Sequence, residues 1–258
     1  MARSKIVVKF AAFLQNIGSQ GLLLVQAFGA AGSGRMDGPE FSKSLVRLGV
    51  HSLPVVIFTA LFVGGIMVVQ SAPLLQRFGA ESLLGWGAGF GILREIGPIL
   101  TGLMISGRVG SSNTAELGTL KVTDQIDGLR ALAIDPTAYL LAPRIVSITI
   151  TTMLGTVLSM AVALLGAAVS GLVLLGVHPL LFWNSLTGGL LGPGDVAHGV
   201  LKSLVFGLAI ASSSTAFGVN ATGGAPGVGR AVNNSVVTTA VLIFILDALV
   251  SFASMGGR

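Results

Sequence analysis

The sequence predicts an all-α, polytopic integral membrane protein with five transmembrane helices. Of its 258 residues, 52% are hydrophobic and only 10% are charged, whereas about a quarter of the residues in an average soluble domain are charged. The mean hydropathy is +0.88. A membrane span needs about 20 largely apolar residues, and five apolar runs near that length follow one another along the chain. Little sequence remains for a separate soluble domain.

The five runs are joined by more polar connections. The first contains Pro54 in its first turn, where a helix tolerates proline. The second is rich in glycine and contains Arg94 and Glu95. The third is longer than a bilayer is thick, so we expect it to be tilted or to project from the membrane. The predicted spans are residues 53–70, 84–106, 145–177, 200–219 and 236–254.

Residues 1–48 differ in character from residues 49–258, which form the predicted transmembrane domain. Apolar stretches alternate here with polar and basic residues, which is typical of an amphipathic helix that lies in the membrane interface. A signal peptide is the alternative, because GLLLVQAFGAA resembles its apolar core followed by small residues. The late start of that run and the absence of a soluble domain to export favour the interfacial helix.

The distribution of basic residues predicts the orientation in the membrane. Five spans place the two termini on opposite sides, and basic residues concentrate on the cytoplasmic side of membrane proteins. A cytoplasmic N-terminus puts eleven basic residues on that side and leaves Arg77, Lys202 and Arg258 on or near the outer side. We therefore expect a cytoplasmic N-terminus and a periplasmic C-terminus.

The sequence lacks the residues that several kinds of chemistry require. The chain has no cysteine, and the dipeptide Gly-Lys of a phosphate-binding Walker A loop does not occur. His51, His178 and His198 are too scattered for a metal or acid/base centre, and a serine such as Ser106 has no convincing base for proteolysis. The basic residues form no stripe that would bind nucleic acid. We expect no catalytic residue, no metal site and no bound cofactor in this chain.

Residues 107–144 are polar enough to lie in water and contain a predicted amphipathic helix at about 115–135. Its apolar positions recur at helical spacing, and the dipeptide Asp135-Pro136 ends it. The residues of the apolar face are Val122, Ile126, Leu129 and Ala133. The pattern is that of a helix lying on the bilayer or on its own protein, or of a helix that docks into a cytosolic motor.

Four sequence blocks in this region resemble the MlaE permease family, also called YrbE. They are LREIGP, GRVGSS, AELGTLKVTDQIDGL and IDPTAYLLAPR. The resemblance extends from about residue 49 to the C-terminus and is densest between residues 92 and 144. Several blocks in the same order are far more specific than any one of them.

This resemblance implies the membrane subunit of an MCE-associated ABC lipid transporter in the bacterial inner membrane. Its partners would be a second copy of itself, a cytosolic ATPase that binds ATP and Mg²⁺, and a periplasmic MCE-domain protein. The transporter would move lipid, with phospholipid as the expected class, between the inner membrane and the MCE protein, and so support outer membrane lipid asymmetry. The segment 115–135 would be the coupling helix. Its expected ATPase-coupling residues are Glu116, Val122, Asp124, Ile126, Leu129 and Asp135.

Four charged residues lie within predicted spans: Arg94, Glu95, Lys202 and Asp247. A charge near the membrane centre costs about 2.5 to 3.5 kcal/mol on insertion scales. At 1.5 Å per residue all four fall in the outer half of the bilayer, so we expect Glu95 to pair with Lys202 and Arg94 with Asp247, with the opposite pairing open. They serve as ion pairs that fix helix packing, or as the polar wall of a lipid cavity in which Arg94 or Lys202 binds an anionic head group. The two roles are compatible.

The spacing of the glycines predicts close packing of helices and a turn between spans. Gly85 with Gly89, and Gly87 with Gly91, have the spacing that lets helices approach closely, within one subunit or at a dimer seam. The glycines expected to form a turn between the last two spans are Gly223, Gly224, Gly227 and Gly229.

Two other functions compete with an ATP-driven permease. A secondary transporter driven by protons would use Glu95 and Asp247, but such folds commonly carry inverted repeats and none is visible here. A non-transporting scaffold would use the cytoplasmic helix as an adaptor site. Co-purification of an ATPase distinguishes the first function from the other two.

Overall fold

The computed structural model describes residue 18 and residues 20–34, 36–189 and 191–255, and these are largely helical. The helices in this part of the chain are α1 (Gln20–Gly32), α2 (Gly38–Arg77), α3 (Leu84–Val122), α4 (Gln125–Ala131), α5 (Thr137–Leu175), α6 (Pro179–Thr187), α7 (Pro193–Val219) and α8 (Gly224–Met255). Five of them, α2, α3, α5, α7 and α8, are long and apolar enough to cross a membrane. The predicted all-α polytopic fold is confirmed.

The helices extend beyond the apolar runs of the sequence. Helix α2 begins at Gly38, where the side chain of Asp37 accepts a hydrogen bond from the amide of Glu40, and α3 continues to Val122. A helix satisfies its own backbone hydrogen bonds in water as well as in lipid. Hydropathy therefore locates the apolar part of each helix but not its ends.

Two connections that the sequence analysis took for loops contain helix. After the third span, α6 begins at Pro179, and the His178 side chain accepts a hydrogen bond from the amide of Leu180. Gly223, just before α8, and Gly224, its first residue, have φ values of +87° and +65°, which glycine adopts without strain. The turn role expected of Gly227 and Gly229 is wrong, because both lie within α8.

Helix α1 is the short apolar helix expected in the N-terminal segment. It exposes Leu22 and Val25, while Gln20 and Ala27 are buried. The amide oxygen of Gln20 accepts a hydrogen bond of 3.2 Å from Ser213. Some residues used to predict orientation lie outside the described part of the chain, namely Arg3, Lys5, Lys9, Arg35 and Arg258.

The chain forms two compact units. Among the described residues, unit 1 consists of the chain up to Val50, Ser106–Thr149 and Leu208–Leu242, and unit 2 of His51–Ile105, Ile150–Gly207 and the chain from Ile243 onward. An apolar cluster in unit 1 contains Leu117, Ile126, Leu140 and Leu141. The larger cluster of unit 2 includes Ala60, Val68, Leu84, Ala88, Ile92, Ala163, Ala167 and Phe182.

Small residues let the helices of unit 2 approach closely. A Cβ atom on Gly64 of α2 would overlap the carbonyl oxygen of Ala163 in α5, and one on Gly166 would overlap that of Leu61. Likewise, Gly85 of α3 lies against the backbone of Phe182 in α6. Close backbone approach is the usual role of small residues between membrane helices. Gly85 therefore packs two helices of the same chain.

Two π-helical turns precede prolines. They are Ile92–Ile96, before Pro98, and Thr137–Leu141, before Pro143. A proline cannot donate to the carbonyl four residues earlier, and its ring clashes with that carbonyl. The helix widens instead, so that the amide of Gly97 donates to the carbonyl of Ile92, five residues back. π-turns of this kind are frequent at functional sites, and the first contains Arg94 and Glu95.

We expect Gly64→Ala to lower the melting temperature of the purified protein in detergent. The added methyl meets the Ala163 carbonyl, and overpacking costs about 1 to 3 kcal/mol, more than the gain of about 1 kcal/mol from alanine's higher helix propensity. The control is Gly87→Ala, because a Cβ there meets nothing within 4 Å. Thermal unfolding of the two variants checks this, and equal melting temperatures would contradict the close contact.

Candidate functional site

A buried lysine lies at the centre of the charged residues of unit 2. Lys202 of α7 is fully buried. Its Nζ atom lies 2.5 Å from Oε2 of Glu95 on α3 and 2.8 Å from Oδ1 of Asp247 on α8. A buried ammonium group is tolerated only where it is paired and hydrogen-bonded. Lys202 thus joins three helices, and the predicted pair of Glu95 with Lys202 is confirmed.

The predicted pair of Arg94 with Asp247 is wrong. Nη1 of Arg94 lies 3.0 Å from Oδ1 of Asp195, and its guanidinium carbon lies 5.3 Å from the centre of the Phe90 ring. Asp195 also accepts a hydrogen bond of 2.9 Å from the amide of Gly192. Asp195 lies in the stretch that was expected to connect the predicted spans 145–177 and 200–219. An acidic residue just after Pro193 is, however, a common signal for the first turn of a helix.

The π-turn and a glycine bring these groups together. Arg94 and Glu95 are adjacent in the widened turn of α3, yet they bind different partners on α7. Gly199 allows α7 to approach, because a Cβ atom there would overlap the carbonyl oxygen of Leu93. Lys202 follows within one helical turn and reaches Glu95. The local backbone, set by Pro98 and Gly199, therefore positions the ion pairs.

Glu95 is the most open member of the cluster. Its side chain is 40% exposed, compared with 14% for Asp247 and 0% for Lys202. Its second oxygen, Oε1, accepts a hydrogen bond of 3.3 Å from the hydroxyl of Ser251. His198, one turn before Lys202, interacts electrostatically with the same charges. The cluster combines a closed, fully paired lysine with a partly open carboxylate.

A second polar network lies in unit 1 around Arg144. This side chain is 4% exposed, and Nη1 lies 3.0 Å from Oε2 of Glu116 and 3.3 Å from Oδ1 of Asn113. Glu116 also pairs with Arg47 at 2.8 Å, and Glu40 lies 3.9 Å from Arg144. Glu116, predicted to contact a cytosolic partner, therefore pairs with arginines of its own chain.

The network continues into α7 and α8 through uncharged side chains. Asn113 donates to the hydroxyl of Ser214 at 2.9 Å, and Thr114 donates to the hydroxyl of Ser235 at 3.1 Å. Buried polar groups are costly unless they are hydrogen-bonded. Satisfied in this way, they connect the part of α3 before residue 115 to two further helices of unit 1.

The segment 115–135 differs from the single helix that was expected. Helix α3 ends at Val122 and α4 begins at Gln125, with Asp124 between them at a φ of +58°. Lys121 spans the break, with its Nζ atom 2.8 Å from Oδ2 of Asp127. The hydrogen bond from Lys121 lowers the pKa of the Asp127 carboxyl. Helical spacing continues across the break, which is why periodicity did not reveal it.

The apolar stripe of this segment is partly internal. Ile126 is 4% exposed and packs with Leu117 in the core of unit 1, whereas Val122 and Leu129 are half-buried. The exposed apolar side chains come after α4: Leu132 is 73% exposed and Ile134 is 37% exposed. Asp124 and Asp135 are exposed as well. The apolar surface available to a partner therefore lies closer to residues 129–134 than the sequence indicated.

We expect Lys202→Met to reduce the yield of folded protein more than Glu95→Gln. Methionine leaves two carboxylates uncompensated, while glutamine leaves Lys202 paired with Asp247. Removing one partner of a buried pair costs about 3 to 5 kcal/mol. The triple variant with Lys202→Met, Glu95→Gln and Asp247→Asn carries no unpaired charge and should recover most of the yield.

The measurement is the amount of monodisperse protein extracted from membranes. Lys121→Met is the control, since its ion pair with Asp127 is partly exposed and such pairs contribute little. A triple variant that folds no better than Lys202→Met would refute the idea that the three side chains act as one unit.

Comparisons with known proteins agree with the resemblance. The family described as Permease MlaE matches residues 41–253. A probable ABC transporter permease protein of Rickettsia felis is 36% identical over 251 residues, which cover 96% of this chain and 94% of that protein. One from Synechocystis is 35% identical, covering 87% and 85%.

A third relative is the intermembrane phospholipid transport system permease protein MlaE of Haemophilus influenzae. It is 29% identical over 244 residues, covering 95% of this chain and 94% of the relative. The family match extends over most of the chain and over all five candidate spans. This multi-pass membrane protein belongs to the MlaE permease family.

Proposed function

We propose that this chain is the non-catalytic, membrane-spanning subunit of an ATP-driven lipid transporter in the bacterial inner membrane. It works as a homodimer with a cytosolic ABC ATPase, which binds ATP and Mg²⁺. It passes phospholipid between the membrane and a periplasmic MCE-domain protein. The observation that carries this proposal is the paired but partly open charge cluster inside the spans of an MlaE-family permease.

A lipid substrate is supported by the surroundings of the cluster. Glu95 is partly open within an apolar helix, so a molecule that reaches it needs a polar head and an apolar body. A phospholipid has both. The relative from Haemophilus influenzae is named as a phospholipid transport permease, which supports the same class of substrate for this chain.

The ATPase docks on the segment that follows α3. Leu132 and Ile134 present exposed apolar side chains there, and Asp124 and Asp135 add exposed carboxylates at its two ends. Exposed apolar groups rimmed by polar ones are typical of interaction sites. Because Arg144 ties Glu116 to Asn113, a displacement of this segment is passed to the helices of unit 1.

We expect Leu132→Asp and Ile134→Asp to abolish co-purification of the ATPase while the protein still folds. A charge at an exposed position disturbs docking but not the core. Ile126→Asp should instead lower the yield of folded protein, because that side chain is buried in unit 1. Pull-down of the tagged permease from membranes, with yield measured in parallel, checks all three variants.

Ser42→Asp is the matched control, since Ser42 is exposed in unit 1 and lies outside this segment. If the ATPase still co-purifies with both the Leu132 and the Ile134 variants, the proposed docking surface is wrong. If no ATPase accompanies even the wild type, the secondary transporter and scaffold functions gain support.

We expect a reporter fused after Arg258 to be periplasmic and one inserted after Ala133 to be cytoplasmic. The chain has five candidate spans, and its basic residues favour a cytoplasmic N-terminus. Paired alkaline phosphatase and green fluorescent protein fusions measure the side on which each reporter lies. The reverse pattern would invert the orientation and place the docking surface on the periplasmic side of the membrane.

A further inference from the structure

The charge cluster of unit 2 contains more negative than positive groups. Its carboxylates are Glu95, Asp195 and Asp247, and its basic side chains are Arg94 and Lys202. Three acidic groups against two basic groups leave a formal charge of −1, with His198 neutral. Asp195 lies outside the predicted spans, and the four charged residues within them are two acidic and two basic side chains.

An uncompensated charge is unfavourable in a medium of low dielectric constant. Three species could neutralise this one: a proton, a metal ion or a cationic group of a ligand. The described residues contain no group of three or more His, Cys, Asp or Glu side chains arranged to hold a metal ion. A proton and a cationic ligand remain.

The two basic side chains are already engaged. Lys202 is fully buried and lies within 2.8 Å of both Glu95 and Asp247. Arg94 pairs with Asp195, stacks on Phe90 and is only 12% exposed. An anionic head group, which the sequence analysis expected here, would have to displace a carboxylate from one of them.

Glu95 is more exposed and less fully paired than Lys202 and Arg94. Its side chain is 40% exposed, and its Oε1 atom accepts a long hydrogen bond of 3.3 Å from the neutral hydroxyl of Ser251. A carboxylate oxygen accepts more than one hydrogen bond. Charge-assisted hydrogen bonds from an ammonium group are about twice as strong as those between neutral groups. The open edge of the cluster therefore suits a cation that can donate hydrogen bonds.

We propose that Glu95 selects the lipid by its head group and binds the primary ammonium group of an aminophospholipid. This rests on the proposed lipid-transport function and narrows its substrate class. The ammonium group offsets the excess negative charge beside Glu95 and donates to its Oε1 atom. Lys202 acts as a positioning residue, because its ammonium group holds Oε2 of Glu95 and so fixes the carboxylate.

The test is lipid binding to the full-length protein in detergent, measured by native mass spectrometry. The probes are phosphatidylethanolamine and phosphatidylglycerol with identical acyl chains, at equal concentrations. We expect the wild type to prefer phosphatidylethanolamine about tenfold, the effect of one charge-assisted hydrogen bond. Glu95→Gln should reduce this preference to near unity, and Glu95→Asp should retain most of it.

Asp127→Asn is the matched control: it removes one exposed carboxylate from unit 1 and should leave the preference unchanged. Should Glu95→Gln fail to fold, the wild type supplies the same test with N-acetylated phosphatidylethanolamine, which lacks the ammonium group. It should bind about tenfold more weakly than phosphatidylethanolamine. Phosphatidylcholine separates charge from donation, since its quaternary ammonium has no proton to donate and should rank between the other two head groups.

A wild type that binds both lipids equally would overturn the head-group assignment and indicate that a proton neutralises the cluster, while lipid transport would stand. An unchanged preference in Glu95→Gln would overturn it as well. Binding of neither lipid would remove the lipid-transport proposal and this inference together. The two proposals can therefore fail separately.

Discussion

The burial of the Lys202 ammonium group is the constraint on which unit 2 depends. This side chain has no exposed surface, so its charge must be balanced by groups from other helices. Glu95 and Asp247 supply that balance, and they bring α3 and α8 to α7. Apolar contacts alone do not select one arrangement of membrane helices, because lipid is as apolar as the side chains. The ion pairs add the missing specificity.

The positions of the spans were predictable because hydropathy reports directly on the solvent of a helix. Depth in the membrane allowed two pairings of the four charged residues, and the contact of Glu95 with Lys202 belongs to the one that was expected. Depth in the membrane did not predict the partner of Arg94, because the π-turn before Pro98 directs two adjacent side chains to different partners. A pattern that assumes 3.6 residues per turn cannot represent that turn.

The segment 115–135 shows a second limit of sequence reasoning. Ile126 and Leu129 share a helical face in the sequence, yet Ile126 belongs to the core of unit 1. The chain reverses its backbone at Asp124 and again at Ala133, both with a φ of +58°. Neither residue is glycine, so composition gave no warning of either turn. The family blocks located the segment, but only the fold shows which of its side chains remain available.

The contacts of Gly64 and Gly166 have a consequence for motion. At these positions α2 and α5 touch backbone to backbone, with each glycine against a carbonyl of the other helix. Sliding one helix along the other would drive side chains into the gap that only glycine leaves open. Closely packed interfaces of this kind change between discrete arrangements and do not deform continuously. Within unit 2, we therefore expect α2 and α5 to move together as one rigid body. Any rearrangement of unit 2 should then occur at contacts between other helices.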